Sequence, residues 1–317
     1  MTVIEVVRPS RGPAPASHRR GSDRVVVTSD GVRLSVRDYG PQGAAHTVVL
    51  LHGLCLDQES WAIQVAELTD RGGEAVRVIT YDHRGHGNSA GAPMRTYRIA
   101  RLAEDLAEVL AALRVTGHVT LAGHSMGGMA ALAYLGQPGH RRPVDPDHLV
   151  LVGTAAGKVA ERGIGRLLAT RAIDVAYGLV QHGPRAATDA AVRAVVQPLC
   201  GALTRYGGYG ATARDALVAV SAGSINATPL PTKVGFLRGL KEHDQYRVLG
   251  TITAHTTVIS GGADKLIPPA HARELVAAIP GAQHLHHPTA GHMLLHEVPG
   301  VVCDALGGGI AALMTAS

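Results

Sequence analysis

Aromatic residues are nearly missing from this chain, which has one Trp, one Phe and eight Tyr in 317 residues. Its core must then be built from Val, Leu, Ile and Ala, and stacking platforms for single-stranded nucleic acid are not expected. Cysteine is scarce too. Cys55, Cys200 and Cys303 lie far apart, are odd in number and lack metal-type spacing, which suits a reducing compartment. Charged residues are only 17%, and the formal charge of +5 comes without any long Lys/Arg run. The densest basic cluster is His18-Arg19-Arg20, too small to point to a nucleic-acid partner. No apolar run approaches the roughly 20 residues of a spanning helix. The first residues carry an early acid and several prolines instead of a signal-peptide apolar core. The expectation is a cytoplasmic protein without stable membrane insertion, of an oligomeric state that the sequence does not give.

What is present is a regular alternation of strand-like and helix-like segments. Residues 1–21, rich in Pro, Arg and Ser, are expected to be disordered. Segments 24–28 and 32–39 flank Ser29-Asp30-Gly31, and an Asp-Gly turn between such runs predicts a hairpin. Val48-Val49-Leu50-Leu51 has the unbroken apolar character of a strand buried on both faces. Helix 58–71, strand 76–81 and a helix carrying Ile99, Leu102, Leu106, Val109, Leu110 and Leu113 on one stripe follow. Strands at 119–122 and 149–153 enclose a helix ending near residue 135. Beyond 153 the alternation stops. Residues 154–247 read as an insertion of short helices, for instance around 164–168 and 192–199. This insertion holds twelve Lys/Arg against six Asp/Glu, so the chain's formal excess sits there, a charge that would favour anionic substrates or lipid surfaces. Alternation resumes with a strand at 257–260, a helix near 271–278, a strand near 284–287 and a closing helix from about 298. The domain reading is a core of 22–153 and 248–317 interrupted by 154–247. Repeated strand–helix units imply a mostly parallel sheet with helices on both faces.

Gly123-His124-Ser125-Met126-Gly127 sits between a strand and an Ala-rich helical run, the context of a nucleophile elbow. A serine hydroxyl attacks at neutral pH only when a base removes its proton, and that base is best a histidine oriented by a carboxylate. In a parallel sheet such groups gather where strands end. The candidates just past the last strands are Asp264, after Ile259-Ser260-Gly261-Gly262-Ala263, and His292, after Pro288-Thr289-Ala290-Gly291. Asp264 also has the position of a turn- or helix-capping aspartate, and capping and catalysis can coexist. Two backbone N–H groups should face the developing oxyanion: those of Met126, after the serine, and Leu54, in His52-Gly53-Leu54. Cys55 is taken as a small apolar residue. His284, His286 and His287 share a strand without Cys or acidic partners and read as half-buried strand residues, so no metal site is assigned.

With these residues laid out, the chain resembles the α/β-hydrolase superfamily over about 24–315. The motifs carrying the resemblance are His52-Gly53-Leu54, Asp82-His83-Arg84-Gly85-His86-Gly87-Asn88-Ser89, the Ser125 pentapeptide, and Asp264 with Gly291-His292. The resemblance implies an α/β-hydrolase fold in which 154–247 is a helical cap, Asp82 and Arg84 brace loops, and no cofactor or metal is needed. It implies a serine hydrolase cleaving carboxylic esters, with a small-molecule, apolar acyl substrate. Epoxide hydrolases and dehalogenases of this superfamily carry aspartate at the elbow, so Ser125 points to acyl transfer. Carbon–carbon bond hydrolases also use serine, but their oxyanion loop is usually richer in glycine than His52-Gly53-Leu54-Cys55-Leu56. Cofactor-free haloperoxidase or perhydrolase activity would be a side reaction of the same three residues. A non-catalytic binding protein on this fold is the remaining alternative, against which the intact serine, histidine and acid argue.

Overall fold

The computed structural model describes residues 3–6, 21–183 and 227–316. Nine strands form one sheet: β1 (Val3–Val6), β2 (Ser22–Val27), β3 (Arg33–Tyr39), β4 (His46–Leu51), β5 (Val76–Tyr81), β6 (His118–His124), β7 (His148–Val152), β8 (His255–Gly261) and β9 (Gln283–His287). Their order is β1-β2-β3-β5-β4-β6-β7-β8-β9. β1, β2, β3 and β5 pair antiparallel; from β5 to β9 every neighbour is parallel.

The strand β1 corrects the expectation of a disordered segment over 1–21. Val3-Ile4-Glu5-Val6 pairs with Arg24–Val27, because its β-branched residues suit a strand and β2 otherwise offers an unpaired edge. Residues 1–2 and 7–20, and the short helix expected at 192–199, lie outside the described residues.

The doubly apolar β4 is split residue by residue between the two faces. Val48 and Leu50 join Val78, Ala122, Val150 and Val152 under helix α1 (Ala62–Gly72) and helix α7 (Pro299–Ala316), contacting Trp61, Val65, Leu68, Val302 and Leu306. Val49 and Leu51 join Ile79, Leu121, Leu149 and Leu151 under α2 (Ile99–Ala112) and α3 (Met126–Leu135). The helix expected at 58–71 begins as a 3-10 turn, Gln58–Trp61, with Asp57 capping the Glu59 amide at its start.

Between β7 and β8 the described residues add no strand to the sheet. They form a 3-10 stretch Gly163–Ala169, where a short helix was expected, then α4 (Arg171–His182) and α5 (Leu230–Lys241). Phe236, Leu237 and Leu240 of α5 bury in the α2/α3 core, so this part of the insertion is packed on the sheet domain. α6 (Pro269–Ala278) follows β8.

The Asp82–Ser89 loop is braced from several directions. Asp82 accepts the amides of Gln58 and Asn88, both at 2.8 Å. Arg84, fully buried, makes a bidentate pair with Asp105 of α2 at 2.6 and 2.7 Å and reaches Asp30 of the hairpin turn at 3.0 Å. Asp82 and Arg84 therefore hold loops, as expected of them. Removing Asp105 would leave the buried guanidinium half-compensated. Asp105→Ala should lower unfolding free energy by about 3–5 kcal/mol, read from urea denaturation; a loss under ~1 kcal/mol would show that the pair is replaceable.

Candidate active site

β6 delivers Ser125 into a turn that ordinary residues avoid, at φ 53° and ψ −116°. Such a conformation persists only where its surroundings over-determine it. Here the Ser125 amide donates to Val152 O at 2.9 Å, and the Thr154 hydroxyl donates to Ser125 O at 2.7 Å. Small neighbours are obligatory: a Cβ on Gly123 would stand 2.4 Å from the Gly127 and Gly128 backbone, and one on Gly127 2.2 Å from Leu51 O. α3 starts at the next residue, so its amino end points to the same place as the serine.

The loops after β8 and β9 are zipped to each other. Gly262 N donates to His287 O at 2.8 Å, and Ala263 N donates to Ala290 O at 2.9 Å. This brings Asp264 and His292 together beside Ser125. His292 Nδ1 lies 2.7 Å from Asp264 Oδ2, and its Nε2 lies 3.0 Å from Ser125 Oγ. An ionised carboxylate only accepts, so the imidazole carries its proton on Nδ1 and offers Nε2 to the serine hydroxyl. Asp264 is buried, and its other oxygen accepts the amides of Leu266 and Ile267 at 2.8 and 2.9 Å. It is thus a turn-capping aspartate and the histidine's partner at once. All three predicted side chains meet.

The predicted donor loop also arrives. A Cβ on Gly53 would stand 3.3 Å from Ser125 Cβ, so 52–55 flanks the serine. Among the described residues, the Leu54 and Met126 amides have no backbone acceptor.

Three histidines inside the sequence motifs, with no role expected of them, hold this site together. His124 donates from Nε2 to His292 O at 2.9 Å, fixing the backbone that carries the imidazole. His52 donates from Nδ1 to Gly53 O and accepts the His83 amide on Nε2, both at 2.8 Å. His86 Nε2 accepts the Cys55 amide at 3.1 Å. Their only signal in the sequence was to lie inside the quoted motifs. His284 and His286 both contact the Ser260 hydroxyl, at 2.8 and 3.0 Å. His284 and His287 are half-buried, whereas His286 is exposed, unlike the expectation for that strand. Among the described residues, no group of three or more His, Cys, Asp or Glu is placed to hold a metal ion.

The model of the alpha/beta hydrolase fold matches residues 46–299. The chain is an α/β-hydrolase. It is similar to RutD of Klebsiella pneumoniae strain 342, assigned as a carbamate hydrolase, with 30% identity over 80% of this chain and 86% of that protein. It is 36% identical to the non-heme chloroperoxidase CPO-A1 of Kitasatospora aureofaciens, over only 37% of this chain and 40% of that protein. Among solved structures, the enol-lactonase of Burkholderia xenovorans LB400 superimposes with a TM-score of 0.70 at 25% identity, covering 90% of this chain and 99% of the other. The chain spans less than half of that chloroperoxidase's length, and most of the length of RutD and of the enol-lactonase. No helix among its described residues is long and apolar enough to cross a membrane.

Burial pushes His52, His83 and His124 below the ordinary imidazole value, and His86 down to about 3, with neighbouring imidazoles adding to the effect for the last three. The unfolded chain protonates these rings near pH ~6.5 while the folded one does not, so stability is complete above that pH and falls below it. Urea titrations at stepped pH should show stability falling as the pH drops below about 6. A flat profile would mean that these imidazoles are solvated or already charged.

Proposed function

We propose that this α/β-hydrolase is a serine hydrolase that cleaves carboxylic esters of small, apolar acyl compounds through an acyl-enzyme. The observation that carries the reading is the unbroken line of hydrogen bonds from Ser125 Oγ through His292 to buried Asp264. Ser125 Oγ attacks the ester carbonyl as His292 Nε2 takes its proton. The tetrahedral intermediate collapses when His292 gives that proton to the leaving alcohol. Water, deprotonated by the same nitrogen, then attacks the acyl-enzyme and frees the acid and the serine. Asp264 keeps His292 in the required tautomer and stabilises its cation. The Leu54 and Met126 amides receive the oxyanion, aided by the positive end of α3; such a donor is typically worth about 10²–10³ in kcat. The apolar side chains of Leu54 and Met126 border the acyl group. Residues 154–247, of which 184–226 lie outside the described residues, act as a cap that sets access, and Cys55 and Cys303, buried and not joined in a disulfide among the described residues, support a cytoplasmic location.

A second reading shares the same acyl-enzyme. The similarity to a non-heme chloroperoxidase supports hydrogen peroxide replacing water in the second step, which releases a peracid in place of the acid.

A panel of p-nitrophenyl esters from acetate to palmitate tests the reading. The wild-type protein should turn over the shorter esters, and Ser125→Ala should lose about 10⁴-fold or more of kcat with an unchanged circular dichroism spectrum. Asp264→Asn should lose about 10³–10⁴-fold. Full activity in Ser125→Ala would reject the assignment, and peracid formation surviving in that variant would reject the shared intermediate.

A further inference from the structure

The loop 52–55 has an unusual conformation at the residue after its donor. Cys55 has φ 59° although it is not glycine, a left-handed conformation that costs a side-chain-bearing residue free energy and needs outside support. One support is local: the Leu56 amide donates to Gly53 O at 3.2 Å and closes the turn. The other comes from far along the chain. His86 Nδ1 lies 3.1 Å from Arg84 O, and a carbonyl only accepts, so the ring proton sits on Nδ1. Nε2 is left as an acceptor, and it receives the Cys55 amide at 3.1 Å. The ring is itself enclosed, 1% exposed, with the Phe236 ring of α5 at 5.5 Å and the His52 ring at 5.2 Å.

We propose that His86 is a positioning residue for the oxyanion site: by accepting the Cys55 N–H it holds the left-handed turn that aims the Leu54 amide at the space beside Ser125 Oγ. The inference rests on the ester-hydrolase reading above for its catalytic consequence, but not for its geometry. Arg84 anchors the peg through its carbonyl while its guanidinium is locked by Asp105 and Asp30, so the imidazole is held at both ends. A donor displaced by a fraction of an ångström stabilises the oxyanion less while leaving ground-state binding nearly unchanged. The effect therefore belongs in kcat and not in KM.

The test compares wild type, His86→Leu and His86→Gln in the full chain, with p-nitrophenyl acetate and with a trifluoromethyl ketone that forms an oxyanion on the serine. His86→Leu should lower kcat by about 10–100-fold with KM within about 3-fold, and should weaken the ketone by the same factor as kcat. His86→Gln, whose amide oxygen can accept the Cys55 N–H, should recover most of the loss. Unchanged kcat in His86→Leu, a change confined to KM, or no recovery in His86→Gln would each overturn the proposal. An independent readout needs neither activity nor a folded variant: the ¹⁵N resonance of wild-type His86 Nε2 should lie in the unprotonated imine range. A protonated Nε2 would overturn the inference by itself. If wild type hydrolyses no ester, the functional reading fails separately, and this resonance still decides the placement of the loop.

Discussion

The arrangement of the candidate active site depends on one strained residue. Ser125 is held at a positive φ by hydrogen bonds from its own amide to Val152 and from Thr154 to its carbonyl, in a space left by two glycines. Strain of this kind costs on the order of 1–3 kcal/mol, and the sheet core supplies the rigidity to sustain it. The return is position. The hydroxyl stands at the carboxyl edge of the sheet, where the loops after β4, β8 and β9 also end. The amino end of α3 opens at the same point.

Around that serine, neutral histidines act as two-ended fasteners. A neutral imidazole has one donor and one acceptor, so it can satisfy a carbonyl and an amide together. His52 does so between Gly53 O and His83 N, and His86 between Arg84 O and Cys55 N. His124 donates to the His292 carbonyl. His292 uses the same bifunctional ring between a carboxylate and a hydroxyl. The low dielectric that strengthens these bonds also opposes protonation of the buried rings, which ties the site's geometry to pH.

Much of the architecture was legible because local patterns agree with the tertiary structure. The Asp30-Gly31 turn announced the β2–β3 hairpin, the Val48–Leu51 run announced a strand packed on both faces, and the Ser125 pentapeptide announced the elbow. Position relative to the strands identified Asp264 and His292. Other features were not legible because they depend on distant partners. Val3-Ile4-Glu5-Val6 becomes a strand only through pairing with β2. Ser260 meets His284 and His286 across β8 and β9, and His86 reaches Cys55 over 31 positions of sequence. The single Phe, which no motif marks, packs from the insertion against His86.

The proposed function requires the Ser125 hydroxyl to be activated for covalent chemistry by His292. Exposure of the wild-type protein to a fluorophosphonate, followed by peptide mass spectrometry, tests it directly. A single phosphonyl adduct on Ser125 is expected, and it should vanish when His292 is replaced by Ala. An adduct on another residue, or no adduct on an intact folded protein, would contradict it.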